Sequence, residues 1–275
     1  MPLHPDSPAS ALVIHRPDGE AGPWVFASPH SGTILPADLG ADPAVDKGSL
    51  RSAEDVAMDV LARPGVALGA PLIACAVSRA YVDVNRASDD LDPQVVAGFD
   101  PAQPVSARVQ AGYGVIPRLT GDGRPIRETR LSAAEAEGRI DRVHRPYHEA
   151  LATLMTEAQE RHGRATLIDW HSMPAGGSGG PDVVLGDRHA SSCGAALTRR
   201  ARAAFERRGW RVALNRPYAG GYATRLWGRP DEGVEALQIE ISRGRYLDPT
   251  TGRPGPGFGA AQAVIRQVIE DLLGG

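Results

Sequence analysis

The chain of 275 residues contains a single lysine, Lys47. A mechanism that forms a Schiff base, or a P-loop that binds phosphate through lysine, would have to use this residue. No GxxxxGK[ST] motif surrounds Lys47, which excludes the P-loop. Nearly all positive charge is therefore arginine, whose planar group suits bidentate binding of carboxylate or phosphate. An arginine-rich genome would leave the same bias.

Cysteine and long apolar runs are also scarce. Cys75 and Cys193 are the only cysteines and form no CxxC pair, so a disulfide framework is excluded and a reducing, cytoplasmic location is expected. No apolar run approaches membrane-spanning length, and no basic segment with a long apolar stretch opens the chain, so we expect no membrane association. The net charge of -3 gives no general attraction to nucleic acid.

Strand and helix patterns alternate along the chain. Apolar runs predict strands at 24–28, 71–77, 80–84, 166–170, 182–186, 210–215 and 236–242. Helices are predicted at 51–62, 132–162 (interrupted at Pro146), 192–208 and 259–273. Loops rich in Pro or Gly, at 87–125 and 216–233, are candidates to face a ligand. The alternation predicts one three-layer αβα domain over residues 1–275, with a loose N-terminal segment at 1–20.

Two of the eight histidines directly follow predicted strands: His30 in WVFASPHSG and His171 in LIDWHSM. In open α/β sheets the carboxyl ends of strands are where ligands bind. A hydrolytic zinc site needs three protein ligands and an open position for water. Glu54 and Asp55 are the candidate carboxylates, and we favour Glu54, because Asp55 would point about 100° away around a helix turn. Each histidine could instead be an ordinary polar loop residue.

One carboxylate is predicted within a buried strand. In ALQIEIS, Glu240 shares a strand face with Gln238, and a buried carboxylate is costly unless it is paired or functional. It could act as the general base that activates metal-bound water. A salt bridge with Arg243 or Arg245 would explain the same position.

The segment RAYVDVNR offers groups that could bind a substrate carboxylate. Arg79 precedes a predicted strand, and Asn85 with Arg86 ends it. Arginine binds carboxylates through two parallel hydrogen bonds. Arg225, on the Gly-rich loop 216–233, is a further candidate that could close over a ligand. A structural pair between Arg79 and Asp83 is the alternative.

Two motifs invite other functions. GGSGG at 176–180 matches G-x-S-x-G, but prolines and a following strand replace the strand–turn–helix context that a serine nucleophile needs, so a mobile loop is expected. His144 and His148 have the spacing of two zinc ligands on one helix face. Pro146 disrupts that spacing, and a structural or loop-contact role is predicted.

Taken together, the motifs resemble the N-formylglutamate amidohydrolase family. The matching segments are SPHSG at 28–32, RSAED at 51–55, SRAYVDVNR at 78–86, GYGVIPR at 112–118, HRPYHEAL at 144–151, IDWHSMP at 168–174, PDVVLGDR at 181–188, NRPYAGGYATRLWGRP at 215–230 and ALQIEISR at 236–243. They cover most of the chain in one order. The family resembles zinc carboxypeptidases and aspartoacylases, which implies a mixed central sheet of the phosphorylase/hydrolase-like type with helices on both faces.

The resemblance also implies a site and a reaction. Zn²⁺, or another divalent metal, would be held by His30, Glu54 and His171, with Glu240 as the base. The residues implied to hold substrate carboxylates and polarise the scissile carbonyl are Arg79, Asn85, Arg86 and Arg225. The implied reaction is hydrolysis of N-formyl-L-glutamate to L-glutamate and formate, a late step of histidine degradation.

The chain departs from the family pattern in one loop, where Leu226 and Trp227 stand in place of a frequent His and Tyr. Because that loop would face the substrate, another N-acyl amino acid or a small peptide is an alternative substrate. An alternative of another class is a carboxylate-binding protein that has lost its metal. The retention of His30, Glu54, His171 and Glu240 argues against that alternative.

Overall fold

A computed structural model describes residues 11–99, 104–177 and 179–274. It contains one seven-stranded sheet, whose strands are β1 (Leu12–His15), β2 (Trp24–Ser28), β3 (Leu72–Cys75), β4 (Ala165–Met173), β5 (Val183–Gly186), β6 (Val212–Leu214) and β7 (Val234–Ser242). The order is β1-β3-β2-β4-β7-β5-β6. Strand β4 pairs in parallel with β2 and β7, whereas β5 runs antiparallel to β7 and parallel to β6. The sheet is therefore mixed, which confirms the predicted fold class.

The helices lie between these strands along the chain, except for α9, which follows the last strand. They are α1 (Lys47–Arg51), α2 (Met58–Ala62), α3 (Pro64–Ala67), α4 (Ala107–Gln110), α5 (Ala133–Arg139), α6 (Arg145–His162), α7 (Ala195–Glu206), α8 (Tyr222–Trp227) and α9 (Phe258–Leu273). Across the described ranges, no helix combines the length and apolar character needed to cross a membrane.

The chain forms two compact units that alternate along the sequence. The first comprises Pro29–Glu54 and Ala74–Ala150, together with the described part of Met1–Val13. The second comprises Ile14–Ser28, Asp55–Ile73 and Leu151–Gly275. The second unit holds β2, β4, β5, β6 and β7, together with α2, α3, α7, α8 and α9.

The core of the second unit lies on one face of its strands. Phe26, Trp170 and Ile239 belong to one buried cluster with residues of α2, α7 and α9. Burying large apolar side chains of this kind is the main stabilising contribution to such a fold. The rings of Phe26 and Trp170 meet edge to face, with centroids 5.7 Å apart.

The opposite face of the same strands carries polar side chains. Successive side chains in a strand point to opposite faces, so Asp169 and His171 lie on the face away from Trp170. The parallel register of β4 and β7 places His171 beside Glu240 and Asp169 beside Gln238. All four side chains are buried. The fold therefore assembles a buried polar row opposite its apolar core.

The predicted helix at 51–62 is wrong, because the structure breaks it in two. Helix α1 ends at Arg51, α2 begins at Met58, and Glu54 and Asp55 lie in the non-helical segment between them. Ala57, which precedes α2, has a φ of 57°. That left-handed conformation does not occur inside an α-helix. The backbone around the two acids therefore does not follow helical spacing.

Two predicted strands also differ from the structure. β4 continues to Met173, so His171 lies inside the strand instead of after it. The segment 80–84 forms turns, because the Tyr81 N–H donates to the Ser78 carbonyl at 3.0 Å instead of to a neighbouring strand.

The long helical pattern at 132–162 is interrupted near Pro146, as predicted. Between α5 and α6 the chain makes a π turn over Ile140–His144. A wider turn before a proline accommodates the missing N–H without ending the helix. Further differences are β1, which lies within the segment predicted to be loose, α4, which lies within the loop predicted at 87–125, and α8, which lies within the loop predicted at 216–233. Ser178 of the GGSGG motif is outside the described residues.

Candidate active site

His171 is held between two carboxylates. Its Nε2 lies 2.9 Å from Asp169 Oδ2, and its Nδ1 lies 3.0 Å from Asp55 Oδ2. Burial alone lowers the pKa of His171, but the charge of Asp169 and the hydrogen bonds to both carboxylates outweigh it and hold the pKa well above its usual value. The imidazole ring is therefore fixed in position with Nδ1 toward Asp55.

The carboxylate of Asp55 uses its two oxygens differently. Oδ1 accepts a hydrogen bond from Ser172 Oγ at 2.9 Å and lies 3.3 Å from Arg243 Nη2. Oδ2 is the oxygen that lies near His171. The side chain of Asp55 is buried, and these polar partners offset the cost of burying it.

His30 belongs to the first unit and comes two residues after the end of β2. It lies beside another carboxylate. Its Nε2 is 2.8 Å from Asp83 Oδ1. Asp83 also accepts from Arg79 Nη2 at 2.6 Å and lies 3.7 Å from Arg86 Nη2. Burial raises the pKa of Asp83, but the positive charges of Arg79 and Arg86, together with the hydrogen bond from His30, outweigh it and hold the pKa well below its usual range.

The backbone after His30 is fixed by a close approach. The Ile34 N–H donates to the Ala76 carbonyl at 3.0 Å, and the Ser78 N–H donates to the Ile34 carbonyl at 2.8 Å. A Cβ on Gly32 would lie 2.4 Å from the Val77 carbonyl oxygen. Only glycine fits there, which accounts for the glycine of the PHSG motif.

His30, Asp55 and His171 form a candidate metal centre. Their ligand atoms all lie within 4.8 Å of one another, and all three residues are buried. Each histidine directs Nε2 to a carboxylate, Asp83 or Asp169, which is how metal-binding histidines are usually oriented. Two histidines and one carboxylate are also the donor set of many hydrolytic zinc sites. The residues present therefore fit a divalent metal.

The carboxylate of this group is Asp55, where the sequence favoured Glu54. Glu54 is buried, and its Oε2 accepts a hydrogen bond from Arg51 Nε at 2.7 Å. The choice of Glu54 assumed a helix at 51–62, in which Asp55 would point away. Because the backbone is not helical at either residue, that assumption does not hold.

Glu240 lies on β7 next to His171 in the register of the sheet. It is buried, and its Oε1 accepts a hydrogen bond from Gln238 Nε2 at 2.8 Å. Gln238 is oriented in turn by the Gly221 N–H, which donates to its Oε1 at 2.7 Å. The two arginines that the sequence offered as salt-bridge partners of Glu240 pair with other carboxylates. Arg243 pairs with Asp55, and Arg245 pairs with Asp182.

The residues expected to bind substrate occupy different environments. Arg79 pairs with Asp83, as in the structural alternative, and the Asn85 backbone N–H donates to Asp83 Oδ1 at 2.9 Å. The guanidinium of Arg86 is buried and donates to the carbonyls of Tyr113 and Asn85. Arg225 lies in the second unit, on the exposed side of α8.

His144 and His148 support the segment that carries these groups. Nε2 of His144 lies 2.8 Å from the Arg86 carbonyl oxygen, and Nε2 of His148 lies 2.8 Å from the Val84 carbonyl oxygen. Their rings are 4.4 Å apart. These contacts are the loop-contact role that the sequence predicted for the pair.

Sequence reasoning did not identify several polar residues around the two histidines. Asp169 had a detectable signal, because it stands two residues before His171 and therefore shares its strand face. Ser172 and Arg243 had none, because their contact with Asp55 joins three distant segments of the chain.

The mixed α/β fold and the buried group of two histidines and one carboxylate are typical of hydrolytic metalloenzymes as a class. The family is shown by comparison with known proteins. The chain belongs to the N-formylglutamate amidohydrolase family, whose model matches residues 22–247. The resemblance noted from the motifs is thereby confirmed.

Individual relatives cover nearly the whole chain. The N-formylglutamate deformylase of Pseudomonas aeruginosa strain PAO1 is 33% identical over 91% of this chain and 92% of its own length. That of Pseudomonas putida is 29% identical, with the same coverage. The crystal structure of N-formylglutamate amidohydrolase from Ralstonia eutropha JMP134 is 34% identical, with a TM-score of 0.89 over 96% of this chain and 98% of that chain. A gene product of Agrobacterium tumefaciens shares the fold, at 20% identity and a TM-score of 0.64 over 97% of this chain and 93% of that chain.

Proposed function

We propose that this chain hydrolyses the amide bond of N-formyl-L-glutamate and releases L-glutamate and formate. The relatives from Pseudomonas aeruginosa, Pseudomonas putida and Ralstonia eutropha carry this activity in their names. The structural observation that carries the proposal is the row of buried polar groups in which His171, of the candidate metal centre, lies beside the carboxylate Glu240.

In this proposal His30, Asp55 and His171 would hold a divalent metal, for which Zn²⁺ is the default with this donor set. Mn, Fe or Co could serve as well. When bound, such a metal supplies Lewis acidity toward a carbonyl oxygen and lowers the pKa of water.

Glu240 would act as general base and then as general acid. Its carboxylate accepts a proton from the attacking water and returns it to the nitrogen of the leaving glutamate. Gln238 fixes the orientation of this carboxylate by donating to Oε1. The buried surroundings of Glu240 strengthen its interaction with charge that develops during the reaction.

The substrate has two carboxylates and a formyl oxygen that need positive partners. Arg86, with its guanidinium fixed by two backbone carbonyls, would polarise the formyl carbonyl. Arg79 and Asn85 would assist from the same segment. Arg225, the exposed cation of the set, would bind a substrate carboxylate through two hydrogen bonds.

A second candidate substrate is favoured by helix α8. Leu226, next to Arg225, is 39% exposed. An apolar side chain at that position would suit an N-acyl amino acid with an apolar side chain better than a second carboxylate.

We also propose a cytoplasmic location and a small-molecule substrate as the partner of this chain. The location is supported by Cys75 and Cys193, which are buried and unbridged. Burial raises the pKa of the Cys75 thiol to about 12, so this thiol does not behave as a nucleophile.

The test is formate release from N-formyl-L-glutamate by the purified chain, with chelator and after zinc is restored. Release that stops with chelator and returns with zinc supports both the reaction and the metal. Zinc-loaded protein that releases no formate, but cleaves another N-acyl amino acid, would move the assignment to the second substrate class. Release that is unaffected after the metal has been shown to be gone would refute the metal.

A further inference from the structure

Asp55, Ser172 and Arg243 each contact the other two, and we call this group the Asp55 clamp. Ser172 Oγ donates to Asp55 Oδ1 at 2.9 Å, Arg243 Nη2 lies 3.3 Å from the same oxygen, and Arg243 Nε donates to Ser172 Oγ at 3.1 Å. All three residues belong to the second unit. Asp55 and Ser172 are buried, and the Arg243 side chain is 20% exposed.

The clamp distinguishes the two oxygens of the carboxylate. Oδ1 receives a hydroxyl and a guanidinium, whereas Oδ2 lies 3.0 Å from His171 Nδ1. A carboxylate can bind a metal through one oxygen or through both. When both donors hold Oδ1, the carboxylate is directed to bind through Oδ2 alone, in a fixed orientation relative to His171.

The backbone of β4 and β7 positions Ser172 and Arg243, as it positions His171. Ser172 follows His171 in β4, and its partner in the β7 register is Ile241, two residues before Arg243. Arg243 begins a single 3₁₀ turn that follows β7 directly. The sheet ladder therefore sets the distance between the two donors, and Asp55 is placed by both strands.

We propose that Arg243 and Ser172 are positioning residues, which hold Asp55 as a one-oxygen ligand and thereby set the affinity of the centre for its metal. This inference rests on the proposed function in one respect only, that a divalent metal binds to His171 and Asp55. It does not depend on which amide is hydrolysed.

The test measures zinc affinity by competition with a chromophoric chelator. Ser172→Ala and Arg243→Met are each expected to weaken zinc binding about 10- to 100-fold, the usual effect of losing a group that orients a ligand. Arg243→Lys keeps the charge but loses the two-donor fork, so its affinity should fall between wild type and Arg243→Met. Because the three residues act as one unit, the double variant should be no more than about threefold weaker than the poorer single variant.

Arg245→Met is the matched control. Arg245 lies in the same 3₁₀ turn, but its guanidinium pairs with Asp182 at 2.7 Å. The Arg245→Met variant removes an arginine and an ion pair from the same turn without changing a contact of Asp55. Its zinc affinity should stay within about twofold of wild type. If Arg243→Met fails to fold, Ser172→Ala and Arg243→Lys carry the test.

A cobalt-loaded protein adds a readout that a purely structural role would not change. A carboxylate released to bind through both oxygens raises the coordination number, so the visible absorbance of Co²⁺ should weaken in Ser172→Ala and stay unchanged in Arg245→Met. Zinc affinity and cobalt spectra that match wild type in Ser172→Ala and in the folded Arg243 variants would overturn the proposal.

The outcomes separate this inference from the proposed function. Weakened zinc binding in the clamp variants, in a protein that releases no formate from N-formyl-L-glutamate, would support the clamp and reject the substrate. Normal formate release, with zinc affinity unchanged in the clamp variants, would support the substrate and reject the clamp. Wild-type protein that binds no divalent metal would overturn both the clamp and the metal centre.

Discussion

Exchange of the two adjacent acids, one at a time, tests the candidate metal centre most directly. Asp55→Asn removes the one negative charge contributed by the group of His30, Asp55 and His171. Glu54→Gln removes the neighbouring charge, which the structure pairs with Arg51. Both changes conserve size and polarity. The pair therefore separates the effect of a ligand from that of a nearby carboxylate.

The structure sets the expected magnitudes. Loss of a group that only orients a ligand weakens metal binding about 10- to 100-fold, so loss of the anionic ligand itself should exceed about 100-fold, or about 2.7 kcal/mol. Glu54→Gln should change zinc affinity less than about threefold. It should cost about 1 kcal/mol of unfolding free energy, because the bond lost is charge-assisted but the Arg51 side chain is 43% exposed.

The assay is zinc content after dialysis against a weak chelator, followed by competitive titration of each variant. Circular dichroism and thermal unfolding of the metal-free proteins serve as controls for folding. Zinc loss in Glu54→Gln, with zinc retained by a folded Asp55→Asn, would refute Asp55 as the ligand and restore the choice made from the sequence.

Three further changes test other parts of the structure. Glu240→Gln should retain zinc and the fold but lower kcat about 10²- to 10⁴-fold in a formate-release assay, since it removes the general base. Gly32→Ala places a Cβ 2.4 Å from the Val77 carbonyl oxygen, so it should lower the melting temperature and weaken zinc binding through His30. Asp182→Asn should destabilise at neutral pH, with a difference from wild type that shrinks as the pH falls below about 4 in urea-unfolding measurements.

The sign of the last prediction follows from the charges around Asp182. Burial raises its pKa, but hydrogen bonds from Arg245 and Arg211 outweigh it and hold the pKa well below its usual value. A carboxyl group with a lowered pKa in the folded state contributes stability that is present above its unfolded pKa and is lost as the pH falls toward the folded value. A difference that stays constant from neutral pH to pH 2 would contradict this account.

The other two predictions also have contrary outcomes. Near-normal turnover by a zinc-loaded Glu240→Gln protein would remove Glu240 as the base. A Gly32→Ala protein with wild-type melting temperature and zinc affinity would show that the backbone yields at this approach. The exposed Gly163→Ala is a matched control that meets no atom within 4 Å, although its φ of 67° adds a small strain of its own.

Local sequence patterns predicted the central strands and several of the polar residues that they carry. Apolar runs located β2, β4 and β7 because each of these strands is buried and packs an apolar face against the core. Period-two alternation placed Gln238 and Glu240 on one strand face, and the register of β4 and β7 then brought Glu240 beside His171. Strand ends also drew attention to His30 and His171, although His171 proved to lie inside its strand.

The tertiary structure decided which groups meet. Helical spacing favoured Glu54, but the chain leaves the helix after α1 and turns at Ala57 through a positive φ, which brings Asp55 to His171 instead. Contacts of Asp55 with Ser172 and Arg243 join segments more than a hundred residues apart, and such contacts leave no local periodicity to detect. The sequence by itself thus determined the central strands β2, β4 and β7 and the polar face of β4 and β7. The choice of the carboxylate and of the groups that orient it depended on long-range packing, because only packing sets the distances between segments remote in the chain.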